Sequence, residues 1–131
     1  GRYDRILVDA PCTGLGALRR RPEARWRKQP ADVPELAALQ GELLDAALDA
    51  LVPGGIVAYV TCSPHLAETA GAVSDALRRH GGVVELDARA VVASIARSPI
   101  DLPEVAGTGR AQLWPHRHGT DAMSISLLRR A

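Results

Sequence analysis

Two cysteines, at positions 12 and 62, are the residues of this 131-residue chain best suited to covalent chemistry. Each follows a short apolar run, Ile6–Val8 or Ile56–Val60, and each lies within two residues of a proline and next to a hydroxyl side chain. Chemistry in open α/β sheets gathers at the carboxyl ends of strands, so the pattern predicts two thiols beside one crevice. A thiolate held there could act as a nucleophile.

Other interpretations of the two thiols are simpler. A free cysteine is often only a small buried side chain, and two of them could form a disulfide if their Cα atoms lay within about 7 Å. Their placement at two equivalent strand ends argues against a purely space-filling role. Nothing in the sequence indicates an oxidising compartment, in which a disulfide would form. Ser63 and Pro64 predict a helix that begins at about Pro64, and its N-terminus would favour the thiolate form of Cys62.

Strands and helices alternate along the chain and would position these cysteines. Asp32, Pro34 and Glu35 resemble the capped start of a long amphipathic helix. The predicted strands cover residues 6–8, 56–61, 83–86, 112–114 and 123–128, and the predicted helices cover residues 32–51 and 64–79. Residues 88–109 have an ambiguous pattern, in which two prolines and two glycines favour loop. The order predicts an α/β fold with parallel first strands and a closing antiparallel pair. Continuous apolarity in the first strand predicts burial on both of its faces.

Length and composition restrict the class of protein. The chain suits one domain, and 47% hydrophobic with 24% charged residues is typical of a globular protein. No apolar run approaches the roughly 20 residues of a membrane-spanning helix, and no signal peptide is recognisable. We therefore predict a cytoplasmic protein that does not span a membrane.

Positive charge is concentrated in residues 19–28. This segment holds six basic residues and one acidic residue, whereas the formal net charge of the whole chain is only +1. Such a stretch could neutralise RNA phosphates, with Trp26 available for stacking, or it could be a solvated loop. His116 and His118 lack a nearby cysteine or carboxylate pair, so we predict no metal site and assign them to the surface or to RNA contact.

Two motifs carry a resemblance to a known family. Residues 9–16 read D-A-P-C-T-G-L-G, and residues 61–64 read T-C-S-P. Together they resemble the Sun (Fmu) family of RNA cytosine-5 methyltransferases, above all its bacterial 16S ribosomal RNA members. Residues 20–26, 114–116 and 119–121 resemble further segments of that family, so the similarity covers essentially the whole chain.

The resemblance implies a fold and a domain organisation. Residues 1–131 would form the C-terminal half of a Rossmann-like, S-adenosylmethionine-dependent methyltransferase sheet. The main cofactor site and an RNA-binding helical domain would precede Gly1, and the 131 residues alone would be inactive. The strand near residues 3–9 would then have an exposed edge, where the missing half should pair and where self-association could occur.

The resemblance also implies residue roles. Cys62 would attack carbon 6 of a cytosine, so that carbon 5 can accept a methyl group from S-adenosylmethionine, and Cys12 would assist product release. The residues alone do not decide which cysteine is the nucleophile, because DNA cytosine methyltransferases use a Pro-Cys cysteine in that role. Asp9 would lie in the cofactor and base pocket. The implied contacts to ribosomal RNA are Pro11, Arg20, Arg21, Arg25 and Trp26.

The chain departs from the family at two places. Residues 68–70 read E-T-A where the family often has E-N-E, and residues 121–124 read D-A-M-S in place of D-G-F-F. Neither change touches the thiols, so local packing rather than chemistry is in question. Two other functions stay open: a non-catalytic RNA-binding module that uses residues 19–28, and a redox protein in which Cys12 and Cys62 form a reversible disulfide.

Overall fold

A five-stranded mixed sheet organises the chain, and the computed structural model describes all residues 1–131. The strands are β1 (Tyr3–Asp9), β2 (Leu51–Thr61), β3 (Val83–Leu86), β4 (Ala111–Gln112) and β5 (Ser124–Arg130). Their order is β1-β2-β5-β3, with β4 pairing β5. β1 and β2 are parallel, and β5 runs antiparallel to β2, β3 and β4. The predicted α/β fold, with parallel first strands and a closing antiparallel pair, is confirmed.

Five helices complete the fold. They are α1 (Ala24–Arg27), α2 (Asp32–Ala50), α3 (Ala70–Arg79), α4 (Ala88–Ile95) and α5 (Pro115–His118). Short 3-10 turns lie at Leu15–Ala17 and Leu66–Glu68. None of the helices combines the length and the apolar character that a membrane crossing would require.

The core lies between one face of the sheet and the helices α2 and α3. Leu44 and Leu48, one turn apart on α2, are fully buried against the central strand, where Val57 and Tyr59 are equally buried. Leu128 on β5 pairs with Val57 and shares this face. Burying a leucine of this kind contributes about 1.5–3 kcal/mol. The core therefore fixes β2, the strand that ends at Cys62.

β1 differs from its prediction. Burial on both faces is wrong, because β1 is an edge strand that pairs only with β2 and its Leu7 side chain is 69% exposed. The strand edge expected near residues 3–9 is therefore present. Self-association through that edge stays a prediction.

The boundary between α2 and β2 lies earlier than the sequence suggests. β2 already begins at Leu51, because its pairing with β1 shifts register between the Tyr3–Leu51 and Arg5–Ile56 partners. The Pro-Gly-Gly sequence at 53–55 is accommodated in this irregularity, with Gly54 at a φ of 80°. Proline and glycine here interrupt a strand's register instead of separating a helix from a strand.

The helix predicted to begin at Pro64 is wrong in its first part. α3 begins only at Ala70, after the 3-10 turn at Leu66–Glu68. The Ser63 hydroxyl accepts the His65 N–H at 3.1 Å without starting an α-helix. No α-helix N-terminus therefore adjoins Cys62. The expectation that a helix N-terminus favours the Cys62 thiolate is wrong.

Two local features differ from their predictions near other helices. α4 lies inside the ambiguous segment whose prolines and glycines favour loop, and the Asp87 carboxylate caps it by accepting the Ala90 N–H at 3.2 Å. α2 begins at Asp32 as expected, but the Asp32 carboxylate does not cap that helix. It accepts the N–H of Gln29 at 2.8 Å and closes the preceding turn.

Candidate active site

The two cysteines lie side by side where β1 and β2 end. Asp9 pairs with Val60 at the last position of the parallel ladder, and the Ala10 N–H continues it by donating to the Val60 carbonyl at 2.9 Å. Beyond this point the Sγ atoms of Cys12 and Cys62 are 3.4 Å apart. The structure thus brings together the two thiols that the motifs single out, and both are free cysteines.

The surroundings of Cys12 keep its proton on the sulfur. Burial, followed by the hydrogen bond with Cys62, raises the pKa of Cys12 to about 12. At neutral pH Cys12 is therefore a thiol, and its S–H can donate to the sulfur of Cys62. Either sulfur of the half-buried pair can donate while both are thiols, and Cys12 is the donor once Cys62 is a thiolate.

A buried carboxylate joins the two cysteine loops. Glu68 has no solvent exposure. Its Oε1 accepts the Thr13 N–H at 2.8 Å, and its Oε2 accepts the hydroxyls of Thr13 at 2.8 Å and Ser63 at 2.5 Å. Thr13 directly follows Cys12, and Ser63 directly follows Cys62. One side chain therefore holds both loops.

Two further buried groups secure this arrangement. The Gln40 Nε2 group donates to the Pro11 carbonyl at 2.8 Å and to Glu68 Oε1 at 3.3 Å. The Tyr59 hydroxyl donates to the backbone carbonyl of Glu68 at 2.8 Å, and burial raises the pKa of Tyr59. The loops are thus tied to α2 and β2, which carry much of the buried core.

Sequence reasoning missed Glu68 as a site residue. It noted this acid only as the one member kept from an E-N-E sequence, and a glutamate is by default expected at the surface. A signal was present, because a hydroxyl residue follows each cysteine. Each of these hydroxyls needs an acceptor when it is buried, and one carboxylate can serve both once the strands lie side by side.

Backbone bonds hold the Cys62 loop from the other side. The Gly16 N–H donates to the Cys62 carbonyl at 2.9 Å, and the Ala122 N–H donates to the Gly16 carbonyl at 2.8 Å. A Cβ atom on Gly16 would stand 2.0 Å from the Ala122 oxygen. Gly14, with a φ of 70°, supplies the left-handed turn that leads into this segment.

Both thiols line a surface cleft of about 540 Å³. Its charged lining is mostly basic, with Arg20, Arg21 and Lys28, and Asp9 is its one acid. The Asp9 carboxylate is exposed and makes no hydrogen bond or ion pair within the chain. The cleft therefore offers cations for a polyanion and one free carboxylate beside the sulfurs.

The predicted RNA contacts fall into different surroundings. Arg20 lines the cleft but is bound through two nitrogens to Asp121, with Nη2 to Oδ2 at 2.6 Å, and Arg19 joins the same carboxylate at 2.9 Å. Arg21 lines the cleft without a partner. The Arg25 guanidinium lies 5.0 Å from the centre of the Trp26 ring, which is 79% exposed.

The other predicted positions have local partners as well. The Pro11 ring borders the cleft, and its carbonyl is held by Gln40. The His118 Nδ1 accepts the Trp114 N–H at 2.9 Å, while its Nε2 bonds the Asp101 carbonyl at 2.6 Å. His118 therefore fastens the closing segment locally.

Sheet, cleft and thiol pair define the class of protein. The fold is a mixed α/β sheet with helices, and its structural neighbours are S-adenosylmethionine-dependent methyltransferases that it covers in part. The family model described as 16S rRNA methyltransferase RsmB/F matches residues 1–129. The chain belongs to this family, and the resemblance stated from the motifs is confirmed.

Individual relatives agree with this family. The Mycobacterium tuberculosis H37Rv protein Rv1407, provisionally named a methyltransferase, is 64% identical over 98% of this chain and 26% of its own length. Ribosomal RNA small subunit methyltransferase B of Serratia proteamaculans is 43% identical over 75% of the chain and 22% of its own length. The chain thus spans about a quarter of these relatives.

A solved structure supports the fold. The crystal structure of NSun6 from Pyrococcus horikoshii with SFG, an analogue of S-adenosylmethionine, superposes with a TM-score of 0.78. The sequences are 28% identical over 98% of this chain and 30% of that one.

Proposed function

We propose that this chain carries the catalytic cysteines of a cytoplasmic enzyme that methylates carbon 5 of a cytosine in ribosomal RNA, 16S RNA in particular. The observation that supports it most is the pair of sulfurs 3.4 Å apart in a basic cleft. Residues 1–131 are proposed to be the C-terminal portion of a larger catalytic domain. The exposed edge of β1 is available to pair with the rest of that domain.

The thiol chemistry proceeds by covalent catalysis. Carbon 5 of cytosine is too weak a nucleophile to take a methyl group directly. In the proposed reaction Cys62 gives its proton to water in the open cleft, and its thiolate forms a bond to carbon 6. The electrons of the double bond between carbons 5 and 6 then make carbon 5 nucleophilic. After methyl transfer the carbon 5 proton passes to a base, for which the open cleft offers water. The electron pair of that C–H bond re-forms the ring double bond and expels Cys62 as a thiolate.

Cys12 is proposed to assist this last step. Its raised pKa keeps it protonated, and its sulfur lies 3.4 Å from the sulfur that must leave. An S–H···S hydrogen bond from Cys12 would stabilise the departing thiolate of Cys62. Cys62 is thus proposed as the nucleophile and Cys12 as the residue that assists release.

One residue of the cleft, Asp9, suits the binding of S-adenosylmethionine. When bound, this cofactor supplies the methyl group. It carries positive charge, and Asp9 is the one acidic residue of the cleft, exposed and without a partner. We propose that Asp9 binds the cofactor or the amino edge of the cytosine. Because Asp9 is the single suitable group, we expect no methyl transfer from residues 1–131 alone.

Fluorinated RNA tests the proposal. With S-adenosylmethionine and ribosomal RNA that contains 5-fluorocytosine, the complete protein is expected to form an adduct that survives denaturation. After methyl transfer carbon 5 carries fluorine in place of the proton, and fluorine cannot leave as the proton does. Mass spectrometry of the digested adduct should place the nucleotide on the peptide that carries Cys62, and unmodified RNA should yield 5-methylcytosine. RNA binding without adduct or product would instead favour a non-catalytic RNA-binding module.

The basic cleft leads to a prediction about RNA affinity. Arg21→Ala should weaken RNA binding several-fold and reduce the slope of log affinity against log salt by about 1, because one phosphate contact is lost. Arg20→Ala should weaken it less, because Asp121 already pairs with that guanidinium. Filter binding over a salt series measures both effects.

Arg78→Ala is the control for this experiment. Arg78 is an exposed arginine on α3 that pairs with Asp75 and does not line the cleft. Its removal should leave affinity and slope unchanged. Equal losses for Arg21→Ala and Arg78→Ala would show that the cleft is not where RNA binds.

A further inference from the structure

We propose that Glu68 is a positioning residue that sets the distance between the two sulfurs, a role that rests on the proposed function. Glu68 does not line the cleft, so it cannot touch the base or the cofactor. It acts through Thr13 and Ser63, the residues that directly follow the two cysteines. The family departures at residues 69 and 70 leave this acid in place.

The burial of Glu68 argues that its carboxylate has a specific task. It is fully buried and forms no ion pair with an arginine, lysine or histidine. Burying a carboxylate is costly, and a well-packed apolar residue is often at least as stabilising. Here three donors from Thr13 and Ser63 at 2.5–2.8 Å compensate the cost. These donors belong to the cysteine loops and not to the surrounding core.

The two loops run in register because of this shared acceptor. The sulfurs of Cys12 and Cys62 are 3.4 Å apart, and one residue further along the hydroxyl oxygens of Thr13 and Ser63 are also 3.4 Å apart. Both hydroxyls bond to the same oxygen, Oε2 of Glu68. Without that oxygen the two hydroxyls would lose the acceptor that they share. The backbone bond from Gly16 to the Cys62 carbonyl would remain, but it does not join Thr13 to Ser63, so the sulfur distance would be less constrained.

The position of Glu68 itself is fixed independently of the loops. The Tyr59 hydroxyl holds the Glu68 backbone carbonyl at 2.8 Å, and Gln40 approaches Oε1 at 3.3 Å. Both side chains are buried in β2 and α2. The carboxylate is therefore a fixed point from which the two loops are held.

Hydrogen bonding predicts an order among variants. Glu68→Gln keeps the length and one acceptor oxygen for the Thr13 N–H, and its amide can donate to the two hydroxyls, which accept as well as donate. Glu68→Ala removes every contact. If Glu68 positions the loops, Glu68→Gln rescues most of the function lost in Glu68→Ala; if its charge takes part in the reaction, the two variants are equally impaired.

The pairing of the thiols measures the role of Glu68 without RNA or cofactor. Diamide oxidises two neighbouring thiols to a disulfide and takes up their two protons and two electrons to become a hydrazine. In the complete protein, with any other cysteines replaced by serine, Glu68→Ala should form the Cys12–Cys62 disulfide on the order of 100-fold more slowly than the parent protein. The rate of disulfide formation in Glu68→Gln should stay within about 10-fold of the parent rate, because only one acceptor oxygen is replaced.

Steady-state kinetics provides the second readout. In Glu68→Ala, kcat for RNA methylation should fall on the order of 100-fold while KM for RNA is unchanged, because the sulfurs are misplaced and the RNA surface is intact. Glu42→Gln, an exposed glutamate on α2, is the matched control and should alter neither kcat nor the pairing rate.

Each outcome decides the proposal. A folded Glu68→Ala protein with an unchanged pairing rate overturns it, as does a Glu68→Gln variant as impaired as Glu68→Ala. If Glu68→Ala does not fold, Thr13→Val takes its place, because it removes the bond from Oγ1 to Oε2 and keeps the side-chain shape. An unchanged pairing rate in Thr13→Val then overturns the proposal. Pairing that depends on Glu68 in a protein that makes no 5-methylcytosine would refute the proposed function and leave the positioning role intact.

Discussion

Replacing Cys12 with alanine is expected to turn the enzyme into one that stays covalently bound to its RNA, whereas replacing Cys62 with alanine removes the covalent bond altogether. Cys62 forms the bond to carbon 6 in the proposed reaction, so its loss should lower methylation by at least about 10⁴-fold. Cys12 contributes the S–H that stabilises the departing sulfur. Its loss should slow release and let the adduct accumulate.

Denaturing gel electrophoresis separates the two variants. Cys12→Ala mixed with unmodified ribosomal RNA and S-adenosylmethionine should give a retarded protein–RNA band, while Cys62→Ala and the double variant should give none. A retarded band from Cys62→Ala would assign the nucleophile to Cys12, as in the DNA enzymes. The roles proposed for the two cysteines would then be reversed.

The sequence was informative where one local signal decides the structure. Residues 56–60 are correctly predicted as strand because a branched apolar run leads directly into the motif at Cys62, and no competing signal overlaps the run. The proximity of the cysteines follows from strand order alone, since neighbouring parallel strands end at one edge. These inferences needed no knowledge of side-chain contacts.

Signals that serve two purposes misled the prediction. Ser63 and Pro64 have the pattern of a helix start, but the Ser63 hydroxyl turns toward Glu68 and the α-helix begins only at Ala70. α4 was not predicted, because residues 88–109 form one ambiguous segment whose prolines and glycines, all beyond residue 98, favour loop. At Ser63 a tertiary contact decided the structure. At α4 the turn-forming residues of the following loop obscured a helix.

Contacts between distant parts of the chain were beyond sequence reasoning. Composition counts Arg19 and Arg20 as free cations, but Asp121, about a hundred residues away, binds both. Glu68 is ordinary in sequence and becomes central only once Thr13 and Ser63 lie beside it. Such roles depend on the packing of the loops, which no residue pattern within one segment specifies.

A single methyl group at Gly16 should destabilise the fold more than most surface changes. Gly16 lies between the Cys62 carbonyl and the Ala122 segment, and a Cβ atom would stand 2.0 Å from the Ala122 oxygen and 2.8 Å from the Cys62 oxygen. Backbone atoms on both sides cannot rotate away. Gly16→Ala should therefore lower the free energy of unfolding by about 3 kcal/mol, which is measurable as a lower midpoint of urea denaturation.

Gly41→Ala is the matched control for this substitution, since it adds the same methyl group elsewhere. Gly41 lies within α2, and the nearest atom to its added Cβ is the flexible end of Arg79 at 3.6 Å. Alanine is the better helix former, so this variant should gain about 0.5–1 kcal/mol of stability. Opposite shifts in the two urea midpoints are expected because only Gly16 lies against backbone. If Gly16→Ala unfolds at the midpoint of the parent protein, the loop that carries Cys12 does not pass this closely between Cys62 and Ala122.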